Sequence, residues 1–150
     1  MSKIIVTYPA EEDKASWQEL FEGYARFYQV ETSQTKMNTI WSWIHDDSEA
    51  FWCILAKNET GTVLGFMHYR EMPSPLRGSK VGFLDDLFVN PVERGSGAVD
   101  ALFTRLAEEA KARGWPLIRW LTADDNYRAR NVYDKLATRS MFLTYQMELD

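Results

Sequence analysis

Apolar residues recur along this chain with two periods, and the switches between them mark out its elements. Ile4-Ile5-Val6-Thr7-Tyr8 is a short β-branched and aromatic run stopped by Pro9, which predicts a first strand. Trp17, Leu20, Phe21, Tyr24, Phe27 and Tyr28 then fall at the i, i+3, i+4, i+7 spacing of a helix whose aromatic stripe packs on a sheet. Met37, Ile40, Trp41 and Ile44 predict a second helix ending near His45-Asp46-Asp47. Phe51 to Lys57 and Thr62 to Glu71 read as strands joined by the turn Asn58-Glu59-Thr60-Gly61, an antiparallel hairpin. Pro73-Ser74-Pro75 and Gly78 break the chain before a strand from Val81 to Val89. The helical period returns from about Gly97 to Arg113, with Val99, Leu102, Phe103, Leu106 and Ala110 on one face and Gly114 with Pro116 closing it. Leu117 to Thr122 predicts a strand, Asn126 to Leu136 a helix capped by Asp124 or Asp125, and Phe142 to Leu149 a last strand. No repeat, low-complexity tract or linker interrupts this order, so residues 1–150 are expected to form a single mixed α/β domain.

One junction carries chemistry. Arg94-Gly95-Ser96-Gly97-Ala98 lies directly between the apolar strand and the amphipathic helix that follows it. A strand that turns through glycines into a helix leaves unpaired amides and a helix dipole aimed at one place, which attracts phosphate. A Walker loop would need Gly-Lys-Ser/Thr, and no Lys follows Gly97. A dinucleotide fingerprint starting at Gly95 would need glycine where Asp100 stands. The remaining pattern, Arg94-Gly95-Ser96-Gly97-Ala98-Val99, resembles the pyrophosphate loop of the GNAT superfamily of acyl-CoA N-acyltransferases. Val99 stands where that loop has a small residue, so its side chain either turns into the helix–sheet interface or lowers cofactor affinity.

A second segment, Asn126-Tyr127-Arg128-Ala129-Arg130-Asn131-Val132-Tyr133, resembles the family's Asn-x-x-Ala-x-x-x-Tyr helix, and the element order matches over nearly the full length. Where the family often continues with Gly-Phe, Ala137-Thr138-Arg139-Ser140 intervenes here. The resemblance implies a GNAT fold, with a mixed, mostly antiparallel sheet flanked by helices, and acetyl-CoA (coenzyme A) as cofactor. It also implies that the amides of Arg94 to Val99 hold the pyrophosphate and that the main chain of Leu87 and Val89 bonds the pantetheine arm like an added strand. Asn126 would lie near the cofactor, and Tyr133 would be the general acid. Leu84-Asp85-Asp86-Leu87-Phe88-Val89 resembles the corresponding strand of the spermidine/spermine (diamine) acetyltransferase branch, where Leu-Glu-Asp-Phe-Phe-Val is typical. That places Asp85 at the branch's active-site glutamate and points to a polyamine acceptor.

Composition narrows the partners. Lys and Arg number 17 against 22 Asp and Glu, a net charge of −5, which disfavours nucleic acid and mildly favours a cationic substrate. No stretch has the length of a membrane span, and the Met1-Ser2-Lys3 start shows no secretory pattern, so a cytoplasmic protein is expected. Cys53 is the only cysteine and sits in an apolar strand, where it reads as an inert buried thiol rather than a disulfide partner or metal ligand. No metal site is expected, since His45 and His68 lack a ligand spacing and read as surface or packed residues. Aromatic content and the family habit make a homodimer an expectation.

Acyl transfer from a thioester to an amine needs a neutral amine and a proton for the departing thiolate. An amine with a pKa of ~10.4 costs roughly 4.6 kcal/mol to deprotonate at pH 7. A phenol can protonate a thiolate at neutral pH, which suits Tyr133, although Ala129, Val132, Tyr133 and Leu136 also have the spacing of a packing stripe. Asp85 and Asp86 are costly in an apolar strand unless paired or facing a cavity, and regular pleating lets only one face the reaction unless a bulge intervenes. Trp41, Trp43 and Trp52 either line an acceptor cleft or belong to the core. The expected activity is direct acetyl transfer to a small-molecule primary amine, a polyamine first. A protein lysine such as a histone tail, or acyl-CoA binding without catalysis, are the rivals.

Overall fold

Unbroken burial of residues 53–56 and 64–69 in the central strands explains why helices cover both faces of one sheet in the computed structural model, which describes residues 3–149. The chain divides into two compact units, Met1–Trp120 and Leu121–Asp150. The first holds the strands β1 (Ile5–Thr7), β2 (Phe51–Lys57), β3 (Val63–Ser74), β4 (Ser79–Val89) and β5 (Ile118–Trp120), and the helices α1 (Lys14–Phe27), α2 (Gln34–Ile44) and α3 (Ala98–Arg113). The sheet order is β1-β2-β3-β4-β5. Its first four strands are antiparallel neighbours, and β5 joins β4 in parallel, so α3 supplies the crossover that parallel pairing demands.

Each face has its own core. Ile54, Ala56, Leu64, Met67, Tyr69 and Leu84 pack beneath Ala98, Leu102, Leu106 and Ala110 of α3. On the other face Cys53, Leu55 and Phe66 pack beneath Trp17 and Leu20 of α1 and Met37 and Trp41 of α2. Trp115, just past α3, closes the first core. Its ring lies so near Gly82 that a Cβ there would come within 2.5 Å of it, and its indole donates to Glu71 at 2.7 Å.

Several boundaries differ from the sequence reading. Pro73 does not break the chain but stays in β3 opposite Lys80, and the reversal falls at 75–78. Phe27 ends α1 at 57% exposure, outside the packed stripe. At the start of α3 it is Ala98 that enters the core, while Val99 stays half-buried.

The second unit contains α4 (Tyr127–Leu136), capped by Asn126, whose side chain accepts from the Ala129 amide at 3.2 Å; neither Asp124 nor Asp125 is the cap. The expected strand from Phe142 to Leu149 is not formed. A strand exists only where a neighbour takes its amides and carbonyls, and none does so here among the described residues. Met141, Phe142, Leu143, Tyr145, Met147 and Leu149 are each at least 77% exposed.

Candidate active site

A β-bulge builds the cleft of the Met1–Trp120 unit. His68 of β3 faces Asp86, but the next residue, Tyr69, faces Leu84, so Asp85 is an extra residue on β4. The extra residue reverses the alternation. Asp86 and Phe88 on one side of the bulge, and Phe83 on the other, share the α1/α2 face with His68 and Arg70, whereas Leu84, Leu87 and Val89 turn toward α3. Both carboxylates therefore line one open cleft of about 330 Å³, with Phe21, Ile40, Trp43, Phe51, His68 and Arg70. Trp43 is the tryptophan that reaches it; Trp41 is core, and Trp52 packs on the α3 face under the Arg113 guanidinium, 3.7 Å from its ring centre.

The two aspartates have different partners. Asp86 accepts from Tyr24 at 2.6 Å and bonds His68 Nδ1 at 2.8 Å, while Trp17 donates to His68 Nε2 at 2.9 Å. Burial works to raise the Asp86 carboxyl, but the His68 and Tyr24 hydrogen bonds outweigh it and hold the group below the usual carboxylate range. Asp85 lies 3.1 Å from Arg70 Nε without the alignment of a hydrogen bond, which leaves its buried Oδ2 unbonded. Burial pushes Asp85 above the usual range; Arg70 opposes the rise and the Asp86 charge adds to it. The Tyr24 phenol is pushed well up, by burial and then by Asp86. Burial likewise raises the Cys53 thiol, which is no nucleophile.

At the far end of β4 the hydrogen-bond phase matters. The Asn90 amide bonds Leu64 O at 2.8 Å, so alternate residues Phe88 and Asp86 also turn their main chain to β3, and Leu87 and Val89 turn theirs away. β5 pairs only with Gly82 to Leu84. No strand of this unit takes up the outward groups of Leu87 and Val89 among its described residues. A short 3₁₀ turn, Pro91–Glu93, then leads into the loop, where Gly95 (φ 83°) and Gly97 (φ 91°) adopt the left-handed backbone that favours glycine. Ser96 Oγ accepts the Ala98 amide at 3.3 Å. The amides of Gly95, Gly97, Val99 and Asp100 have no acceptor among the described residues, and a Cβ at Gly95 or Gly97 would meet open space. Arg94 is exposed beside them. Free amides, a charged arginine and an open strand edge are the donor set that a pyrophosphate with an amide-bearing arm requires, so the residues fit acetyl-CoA.

The sequence profile described as the Acetyltransferase (GNAT) family matches residues 17–137. The chain belongs to this family. It is an N-acetyltransferase with acetyl-CoA as donor. The GNAT chain is 26% identical over 145 residues to the D-amino-acid N-acetyltransferase HPA3 of Saccharomyces cerevisiae, covering 96% of this chain and 90% of that protein. Its fold is similar to that of the ribosomal-protein-alanine N-acetyltransferase of Brucella melitensis, with a TM-score of 0.81 at 20% identity over 98% of this chain and 99% of that one. An acetyltransferase of Trypanosoma brucei aligns with a TM-score of 0.77 at 21% identity, covering 98% and 100%.

Of the residues singled out in the sequence, Asp85, Leu87 and Val89 lie on β4, Arg94 to Gly97 on the loop that continues it, and Ala98 and Val99 in the first turn of α3. Asn126 and Tyr133 lie on α4, in the second unit, with Tyr133 half-buried. Sequence reasoning passed over Tyr24, Arg70 and the tie from His68 to Asp86. The available signal was a histidine and an arginine two apart on the second strand of the predicted hairpin, a pattern that becomes a site only once the register is known.

Proposed function

We propose that this GNAT enzyme acetylates the amino group of a small zwitterionic acceptor of the amino-acid class. One observation carries the reading: a guanidinium, Arg70, and two carboxylates, Asp85 and Asp86, line the same small cleft. An amino acid brings both charges to match. Its carboxylate fits Arg70, which is 48% exposed, and its ammonium fits the aspartates. The substrate named for the yeast relative supports the same class. A diamine is the second reading, favoured by the paired carboxylates alone.

Acetyl-CoA, when bound, supplies the acetyl group as a thioester. The unpaired amides of Gly95, Gly97, Val99 and Asp100 and the outward main chain of Leu87 and Val89 would hold it, with Asn126 contributing the amide nitrogen that its capping role leaves spare. Asp85 binds the ammonium and takes its proton, since a carboxyl above the usual range is a better acceptor. With the acetyl group passed to the freed amine, Tyr133 would give its phenolic proton to the departing thiolate. Direct attack needs no acyl-enzyme, in keeping with the buried Cys53.

The reading treats residues 1–150 as one catalytic domain, supported by a family match that spans both compact units. It also takes the enzyme to be a cytoplasmic homodimer. Met141, Leu143, Tyr145, Met147 and Leu149 form a period-two apolar row without a partner strand among the described residues, and a second copy would cover it. Thiol release from acetyl-CoA with D- and L-amino acids, spermidine and a lysine peptide is the test. Turnover confined to spermidine or the peptide sinks the zwitterion reading.

A further inference from the structure

Trp17, His68 and Asp86 form a buried chain of hydrogen bonds whose direction is fixed. An indole N–H can only donate, and that of Trp17 lies 2.9 Å from His68 Nε2. Nε2 must therefore carry a lone pair, which leaves the ring hydrogen on Nδ1, 2.8 Å from Asp86 Oδ2. Tyr24 donates to the other oxygen, Asp86 Oδ1, at 2.6 Å. The imidazole is 1% exposed and lies 4.7 Å from the Phe66 ring centre and 5.5 Å from that of Phe51. A second proton on the ring would set two N–H groups against each other at Nε2. Nδ1 of His68 is thus the donor and Asp86 the acceptor.

We infer that Trp17 and His68 are positioning residues that hold Asp86 as a permanent anion in the acceptor cleft and, through that charge, keep the adjacent Asp85 a proton acceptor. The inference rests on the cleft being the amine site. Histidine is the side chain that ordinarily titrates near neutral pH. An imidazolium here would cancel the Asp86 charge and make Asp85 a weaker base. The indole prevents this. The other titratable groups turned toward the pair are Tyr24 and Tyr28 on α1, Cys53 opposite His68 on β2, Arg70 on β3 and Asp85 on β4; α2 offers only Ile40 and Trp43 to the cleft.

Nitrogen NMR of the full chain with labelled histidine tests the tautomer without substrate. His68 is expected to show hydrogen on Nδ1 and a bare Nε2, unchanged from about pH 5 to about pH 8. In Trp17→Phe the ring should take a proton within that range, and the acid limb of kcat/KM should move to lower pH by about one unit. His68→Phe should lose on the order of tenfold in kcat/KM with a displaced limb. His68→Asn, whose amide can donate from near the Nδ1 position, should restore the limb to its parental position; a merely structural role would lower Tm and leave the limb in place. A hydrogen on Nε2, titration of His68 in the parent, or a Trp17→Phe limb that does not move overturns the inference while acetyl transfer stands. The expected tautomer in a chain that releases no thiol with any amine overturns the functional reading instead.

Discussion

Asp85 and Asp86 are neighbours of one chemical type, yet their partners send their proton affinities in opposite directions. Asp85, raised by burial, gives stability below the ordinary carboxylate pKa and loses it as pH rises through its folded-state value. Asp86, lowered by its His68 and Tyr24 bonds, gives stability above the ordinary value and loses it as pH falls through its own. Asp85→Asn is accordingly expected to match or exceed the parental Tm at neutral pH while kcat/KM for the amine falls and the acid limb disappears. Asp86→Asn should lose about 1–3 kcal/mol in a denaturant titration, because an amide cannot accept from both donors as the carboxylate does. Reversal of the two stability effects would show that the assignment is inverted. Tyr133→Phe should lower kcat by on the order of 10²-fold at unchanged Tm, the range for a lost general acid. Unchanged kcat would return Tyr133 to a packing role.

The working parts at the level of elements are a bulged strand and the loop after it. Gly97 serves that loop twice, by adopting φ 91° and by leaving open space where a side chain would stand over the amides. Gly97→Leu should therefore weaken acetyl-CoA binding in calorimetry while the fold persists, and equal affinity would remove the loop from the site. Gly82 has the opposite reason to be small. A methyl group there would strike the Trp115 ring at 2.5 Å, so Gly82→Ala should cost about 1–3 kcal/mol in the manner of an overpacked core, with cofactor affinity retained. Most element positions were legible in the sequence. The 3.6-residue and two-residue periods both arise from burial on one side, and β2 and α3 follow them to within a residue. Pro73 was misread because proline stops a strand only where its missing amide is needed, and near the tip of the β3–β4 hairpin it is not.

For the whole molecule, the apolar row from Met141 to Leu149 poses the question of assembly. Polar substitution of Leu143 and Tyr145 together should shift the sedimentation of the protein toward the monomer without lowering the stability of the helices. An unchanged monomeric parent would remove the dimer from the reading. Charge at this scale was a partial guide. The net charge of −5 pointed to a cationic acceptor, but the cleft itself also contains Arg70, and a total over the chain cannot show which charges share a surface.

Periodicity, the Arg94 to Val99 loop and the Asn126 to Tyr133 helix were enough to read the GNAT family, the order of strands and helices as far as α4 and the acetyl donor, because these depend on local spacing along the chain. Whether Asp85 and Asp86 could face one cleft depended on a single extra residue between β3 and β4, and a bulge has no signature in either strand alone. The Trp17–His68–Asp86 chain joins residues 51 and 18 positions apart. Strand register and helix packing bring them together, so only the tertiary structure could decide which nitrogen of His68 carries its hydrogen and which carboxylate stays charged.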